Sequence, residues 1–154
     1  MDAISYLKSQ HREVEELFAQ IENAENSKQK KTLFAEVARK LEHHAKIEEK
    51  FFYPEGEDVD EDATLEAYEE HEVMRGLIRK IKKTSPGDET FMAKVTVLKE
   101  IVEHHVEEEE EEYFPECQKE FGREKLEELG EQLEAAFEKL EGSEMPRKQI
   151  KRAA

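Results

Sequence analysis

The chain has 154 residues, 42% of them charged against 36% hydrophobic, with six Gly, four Pro and a single Cys. That length is one domain's worth, and an excess of charge with few turn formers describes long solvated helices rather than a β-rich or disulfide-rich fold. A formal charge of −16 opposes non-specific binding to nucleic acid or anionic lipid and leaves cationic partners such as metals, while a lone Cys117 excludes an intramolecular disulfide.

The N-terminal stretch MDAISYLKSQHREVEE carries charges where a secretory leader needs an apolar run, and no segment approaches the roughly 18 apolar residues of a membrane span. A soluble, cytoplasmic protein with no membrane or nucleic-acid partner is expected. The first predicted helix runs from about Asp2 to Ala24, with Ile4, Leu7, Val14, Phe18 and Ile21 on one stripe. A second covers about Ser27 to Phe52, carries Leu33, Phe34, Val37, Leu41, Phe51 and Phe52, and is expected to stop at Pro54. The acidic stretch EGEDVDEDA reads as a loop. The third helix spans about Thr64 to Lys83, with Ala67, Met74, Ile78 and Ile81 inward, and ends at Ser85-Pro86-Gly87. The fourth runs from about Asp88 to Tyr113, before Pro115. A shorter helix from about Arg123 to Leu140 repeats Leu126, Leu129, Leu133, Phe137 and Leu140 on one face. The expected organisation is a bundle over residues 1–118, an accessory helix over 119–141 that packs on the bundle or forms a homodimer interface, and a disordered basic tail over 142–154.

An internal repeat organises these elements. Residues 41–55, LEHHAKIEEKFFYPE, superpose on 102–116, VEHHVEEEEEEYFPE, so that His44, Glu48 and Pro54 recur as His105, Glu109 and Pro115. HREVEELF from His11 aligns likewise with HEVMRGLI from His71. Each half is a helical hairpin with one His on its first helix and an H-x3-E pair on its second. Two such hairpins packed face to face make an all-α, antiparallel four-helix bundle with approximate two-fold symmetry.

On a helix, positions i and i+4 lie about 40° apart and one turn along, so His44 shares a face with Glu48 and His105 with Glu109. The apolar residues of the second helix bracket that pair, which points it into the core, while His43 and Glu49 fall about 100° or more away, toward solvent or the flanks. The same reckoning prefers His105 and Glu109 over His104 and Glu108. His11 and His71 lie on the apolar stripes of their own helices. A core holding four imidazoles and two carboxylates is costly unless the charges are neutralised, and a pair of metal ions bridged by Glu48 and Glu109, each with two imidazoles, does this. Bridging carboxylates without thiolate lean toward iron or manganese, with a zinc staple as the structural alternative.

These residues resemble the hemerythrin-like family of HHE cation-binding domains over about residues 5–116, through the doubled H-x3-EE-x4-P pattern. The resemblance implies two iron ions with a bridging oxo or hydroxo group, held by His11, His44, Glu48, His71, His105 and Glu109. The sequence departs from the oxygen-carrying hemerythrins, whose third helix supplies a second His where Arg75 stands and whose fourth-helix carboxylate follows its His by five residues. That counts against reversible oxygen transport. What the resemblance implies is reaction with hydrogen peroxide or dioxygen, foremost catalase-like peroxide disproportionation in oxidative stress; the alternative is a module that senses iron, oxygen or nitric oxide without turnover.

Four further residues belong near such a site. Arg75 lies about 40° from His71 on the same helix and either steers a bound peroxide or pairs with its repeat counterpart Glu15. Tyr53, just before Pro54, is placed to ligate or hydrogen-bond at the end of the site, and Tyr68 to donate a hydrogen bond around His71. Glutamates 107–112, apart from Glu109, read as a solvated face, and Cys117 as a plain thiol or a redox reporter.

Overall fold

The computed structural model describes residues 1–144, which include no β-strand. Helix α1 (Ala3–Glu22) is capped by the Asp2 carboxylate, which accepts from the Ser5 amide at 2.9 Å, and α2 (Ser27–Ile47) by Asn26, which accepts from the Gln29 amide at 2.9 Å. A five-residue π-helical turn, Glu48–Phe52, then leads straight into α3 (Tyr53–Gly56). Helix α4 (Glu61–Lys82) begins at Asp60, whose side chain accepts from Ala63, so the acidic stretch read as a loop is already helical at its end. Helix α5 (Phe91–Glu108) starts three residues later than expected, because Asp88 accepts from the Thr90 amide at 2.7 Å and holds a turn there. A second π turn, Glu109–Tyr113, joins α5 to α6 (Phe114–Glu144), which bends at Gly122, where φ is +77°.

Neither proline ends its helix, against expectation. In the first π turn the Tyr53 amide bonds five residues back to Glu48, so the next amide in that register would reach the Glu49 carbonyl. Residue 54 is proline and has no N–H to give. The Glu49 carbonyl instead faces the Tyr68 hydroxyl at 3.4 Å. The Phe114 amide bonds to Glu109 in the same way before Pro115.

Helices α1 and α2 form one hairpin, α4 and α5 the other, giving the four-helix bundle. Its interior has two apolar cores. One packs Val14, Phe18, Phe34, Val37, Ile78 and Leu98 together. The other packs Leu7, Ile47, Phe52, Phe114, Leu129 and Leu133. Between them lies the layer that contains the histidines.

The C-terminal helix is set off from the fourth helix of the bundle by a kink at Gly122, where the backbone is non-helical, next to the expected helix start at about Arg123. Its stripe of Leu126, Leu129, Leu133 and Phe137 is buried against the chain's own second core, so the helix packs on the bundle. The helix also continues to Glu144, so residues 142–144, assigned to the tail, are helical. The rest of that basic tail, residues 145–154, lies outside the described residues.

Candidate metal centre

The six residues selected from the sequence converge. His11, His44, His71, His105, Glu48 and Glu109 come from four helices and the two π turns, and none is more than 7% exposed. Glu48 Oε1 lies 3.2 Å from both His44 Nε2 and His71 Nε2. Glu109 spans the layer the other way, Oε1 at 3.3 Å from His11 Nε2 and Oε2 at 3.4 Å from His105 Nε2. Two groups of donors result, one of His11, His44, Glu48 and Glu109, the other of Glu48, His71 and His105.

Every imidazole turns Nε2 inward and Nδ1 outward to a fixed acceptor. The Nδ1–H of His11 donates to Glu110 at 2.6 Å, of His44 to the Gln10 amide oxygen at 2.6 Å, of His71 to Glu49 at 2.7 Å and of His105 to Glu70 at 2.7 Å. Such partners fix ring orientation and raise the basicity of the inward nitrogen. Arginines hold two of these carboxylates: Arg12 pairs with Glu110, and Arg75 Nη2 with Glu49 at 2.6 Å.

Tyr53 is fully buried, with its hydroxyl at the middle of the layer. It donates to Glu109 Oε2 at 2.6 Å and lies 3.2 Å from Glu48 Oε1, 3.2 Å from His71 Nε2 and 3.3 Å from His105 Nε2. At the equivalent position of the other repeat stands Phe114, its ring stacked on His11 at 6.0 Å. On the opposite side of the layer, Val14, Leu41, Met74 and Val102 enclose a cavity of about 30 Å³ against the four imidazoles.

Several expectations change. Glu49, read as off the site, orients His71, and Glu110 leaves the supposed solvated face to orient His11. His43 is buried, not solvated, with Nδ1 at 2.7 Å from Glu141 of α6 and its ring edge-on to Phe137. His104 is exposed, as expected. Arg75 pairs with Glu49 and Glu72, and Glu15 with Arg12, so the Arg75–Glu15 pair does not form. Tyr68 serves the Glu49 carbonyl rather than His71. Cys117 is fully buried with its thiol pushed up to about 12 by burial, which leaves it a plain thiol.

The electrostatics are those of a charge-compensated cluster. Burial pushes the imidazole pKa down, but the carboxylates of Glu109 and Glu110 outweigh it at His11 and carry the ring up to about 9. His105 is raised well above its ordinary range against burial by Glu109 and Glu70. Glu109 is held well below the usual carboxylate range despite burial, chiefly by His105 and His11, and Glu48 is lowered by His44 and His71. Protons nevertheless leave the layer incompletely satisfied. His11 Nε2, His44 Nε2, Glu48 Oε2 and Glu109 Oε1 are buried with no aligned hydrogen-bond partner. Four inward lone-pair groups of this kind, all nitrogen or carboxylate oxygen, are what a cation satisfies.

The hemerythrin HHE cation binding domain matches residues 2–117. A hemerythrin HHE cation binding domain-containing protein from Mycobacterium kansasii has a solved structure that superposes with a TM-score of 0.83, at 27% identity, over 93% of this chain and 89% of that one. A protein from Nostoc sp. described as a DNA nickase is 28% identical over 142 residues. The match takes in 92% of this chain but 40% of the Nostoc protein, so the chain spans well under half of that relative.

Proposed function

Because the chain belongs to the hemerythrin HHE cation binding domain family, whose members bind metal, typically iron, we propose that its buried cluster holds two irons bridged by Glu48 and Glu109 and a solvent-derived oxygen, and reacts with hydrogen peroxide. His11 and His44 would hold one ion, His71 and His105 the other. The observation that carries this reading is the set of four buried ligand atoms, His11 Nε2, His44 Nε2, Glu48 Oε2 and Glu109 Oε1, that converge with no aligned hydrogen-bond partner. Bound iron would supply a redox couple able to accept two electrons from one peroxide and return them to a second, giving one dioxygen and two waters from two peroxides.

The surrounding residues set the terms of that reaction. The cavity of about 30 Å³ has room for a diatomic molecule or peroxide beside the imidazoles and excludes bulkier substrates. Apart from the imidazoles, Gln10, Glu42 and Arg75 its walls are apolar, which limits the access of bulk water and larger reductants to the reacting atoms. On the far side Tyr53, its pKa raised well above the ordinary phenol by burial and by Glu109 and Glu48, keeps its proton and donates a hydrogen bond to Glu109 Oε2 at 2.6 Å, which holds that carboxylate in place. Arg75 lines the cavity and, through Glu49, fixes His71.

The alternative, a module that binds oxygen or nitric oxide without turnover, draws on the Nostoc relative, in which the matched segment is part of a longer chain. Nicking activity is said of the Nostoc protein, of which this chain matches 40%, and a charge of −16 opposes contact with a polyanion. Iron content and oxygen evolution after peroxide addition separate the readings. The proposal expects two irons per chain and one dioxygen per two peroxides consumed. Iron-loaded protein that leaves peroxide untouched while binding nitric oxide favours the sensing module, and metal that is sub-stoichiometric and lost without consequence removes the dinuclear centre itself.

A further inference from the structure

The groups that stand behind the four imidazoles, on the Nδ1 side, match between the two halves of the metal layer with one charged exception. His11 is oriented by Glu110, which Arg12 holds, and Arg12 also meets Glu15. In the other half His71 is oriented by Glu49, which Arg75 holds, and Arg75 also meets Glu72. These contributions cancel between halves. The remaining pair does not cancel: behind His44 stands the neutral amide of Gln10, and behind His105, at the repeat-equivalent position, the carboxylate of Glu70.

Gln10 is built into its place. It is 5% exposed, its amide nitrogen donates to the Tyr6 hydroxyl at 3.1 Å, and this leaves its oxygen 2.6 Å from His44 Nδ1. The amide accepts the imidazole proton as well as a carboxylate does in geometry, but it adds no negative charge behind the ring. A carboxylate there stabilises the positive charge an imidazole acquires when its other nitrogen binds a cation, and such outer partners are worth about 10–100-fold in metal affinity. Gln10 is thus a positioning residue that acts through His44.

Resting on the reading of this cluster as a dinuclear centre, we infer that Gln10 makes the two positions unequal, so that a divalent cation fills the His71–His105 position first and the His11–His44 position second. The protein then holds a one-metal form over a range of metal concentrations, with Glu48 and Glu109 partly free.

The test is titration of metal-free full-length protein with Co(II), followed by calorimetry and by the visible d–d bands. Repulsion between two cations gives two steps even for equal positions, so the steps alone decide nothing; their response to substitution does. Glu70→Gln should weaken the first step about tenfold or more and leave the second near its original value. Gln10→Glu should strengthen the second step by a similar factor and leave the first. The exchange variant Gln10→Glu/Glu70→Gln keeps the net charge and should return both constants toward the original pair, which a merely damaged fold would not do. Crossed responses, with Gln10→Glu acting on the first step, reverse the order and overturn the inference. So do two steps that neither substitution moves, while the dinuclear reading stands. Uptake of a single Co(II) by the unsubstituted protein removes that reading and the inference with it.

Discussion

At the scale of single residues, the layer divides into side chains that would touch metal and side chains that aim them. Glu48→Ala and Glu109→Ala should each abolish stoichiometric iron binding, because each carboxylate faces both halves. Glu49→Ala and Glu110→Ala should lower affinity about 10–100-fold with the fold intact, and Glu108→Ala, whose half-buried side chain pairs with His104 and orients none of the four imidazoles, should leave it nearly unchanged. Chelator competition ranks all five, and equal losses from the aiming positions and Glu108 would refute the assignment. Sequence spacing sufficed for the six inner residues, since i and i+4 share a face and the repeat removes the ambiguity of the HH and EE runs. It failed for the aiming residues, because their role is fixed by which helix lies across from them. The signal was nonetheless present: the repeat that pairs His44 with His105 also pairs Glu49 with Glu110 and Gln10 with Glu70. His43 was misplaced for a related reason. Helical phase put it on the flank of a four-helix bundle, and a fifth helix covers that flank. Replacing it with Ala should cost about 1–3 kcal/mol by removing a buried ring packed on Phe137 and its hydrogen bond to Glu141, with no loss of metal, read from denaturant midpoints and iron content.

At the scale of elements, the π turns are where sequence and structure part most. Periodicity marks a helix up to Phe52 and again to Tyr113, and Pro54 and Pro115 read as stops under α-helical rules. A widened turn changes the register in which the proline's missing N–H falls, so the chain passes through as helix. The same turn carries Glu48 or Glu109 at its first position and aims Tyr53 or Phe114 back at the layer. Close packing there has a specific requirement: a Cβ on Gly56 would lie 1.8 Å from the Tyr113 hydroxyl, which is bonded to Thr64 at 2.7 Å. Gly56→Ala should therefore destabilise by about 1–3 kcal/mol, and Tyr113→Phe in the same chain should recover part of that loss, as measured by a double-mutant cycle of unfolding free energies.

At the scale of the whole molecule, the fifth helix is part of the fold and not an appendage. Leu133 is fully buried, and Leu126, Leu129 and Phe137 complete a face that closes the second core over Ala3 and Leu7. Leu133→Ala should cost about 2–5 kcal/mol while leaving metal affinity nearly unchanged, because the layer of donors lies beyond that core. Truncation after residue 118 should lower the melting temperature sharply and expose Leu7 and Ile47, detected as dye binding to apolar surface. A truncated chain that melts like the full one would return this helix to the status of an accessory. The amphipathic stripe was plain in the sequence, but a stripe specifies only that it is covered, and the covering surface on α1 and α2 belongs to a pattern that already looked complete as a bundle.

The π turns also carry history. Both copies of the repeat hold the turn at the same register, followed by the same proline, and an inserted turn that arises once and is copied is a simpler origin than one that arises twice. The turn is therefore a property of the repeated hairpin itself. One such hairpin, with one His on its first helix and His, Glu and Pro on its second, could complete the layer only against a second copy. Joined in one chain, the two copies are free to differ, and the substitutions that distinguish them, Tyr53 against Phe114 and Gln10 against Glu70, are ones that an identical pair of subunits could never hold on one side alone.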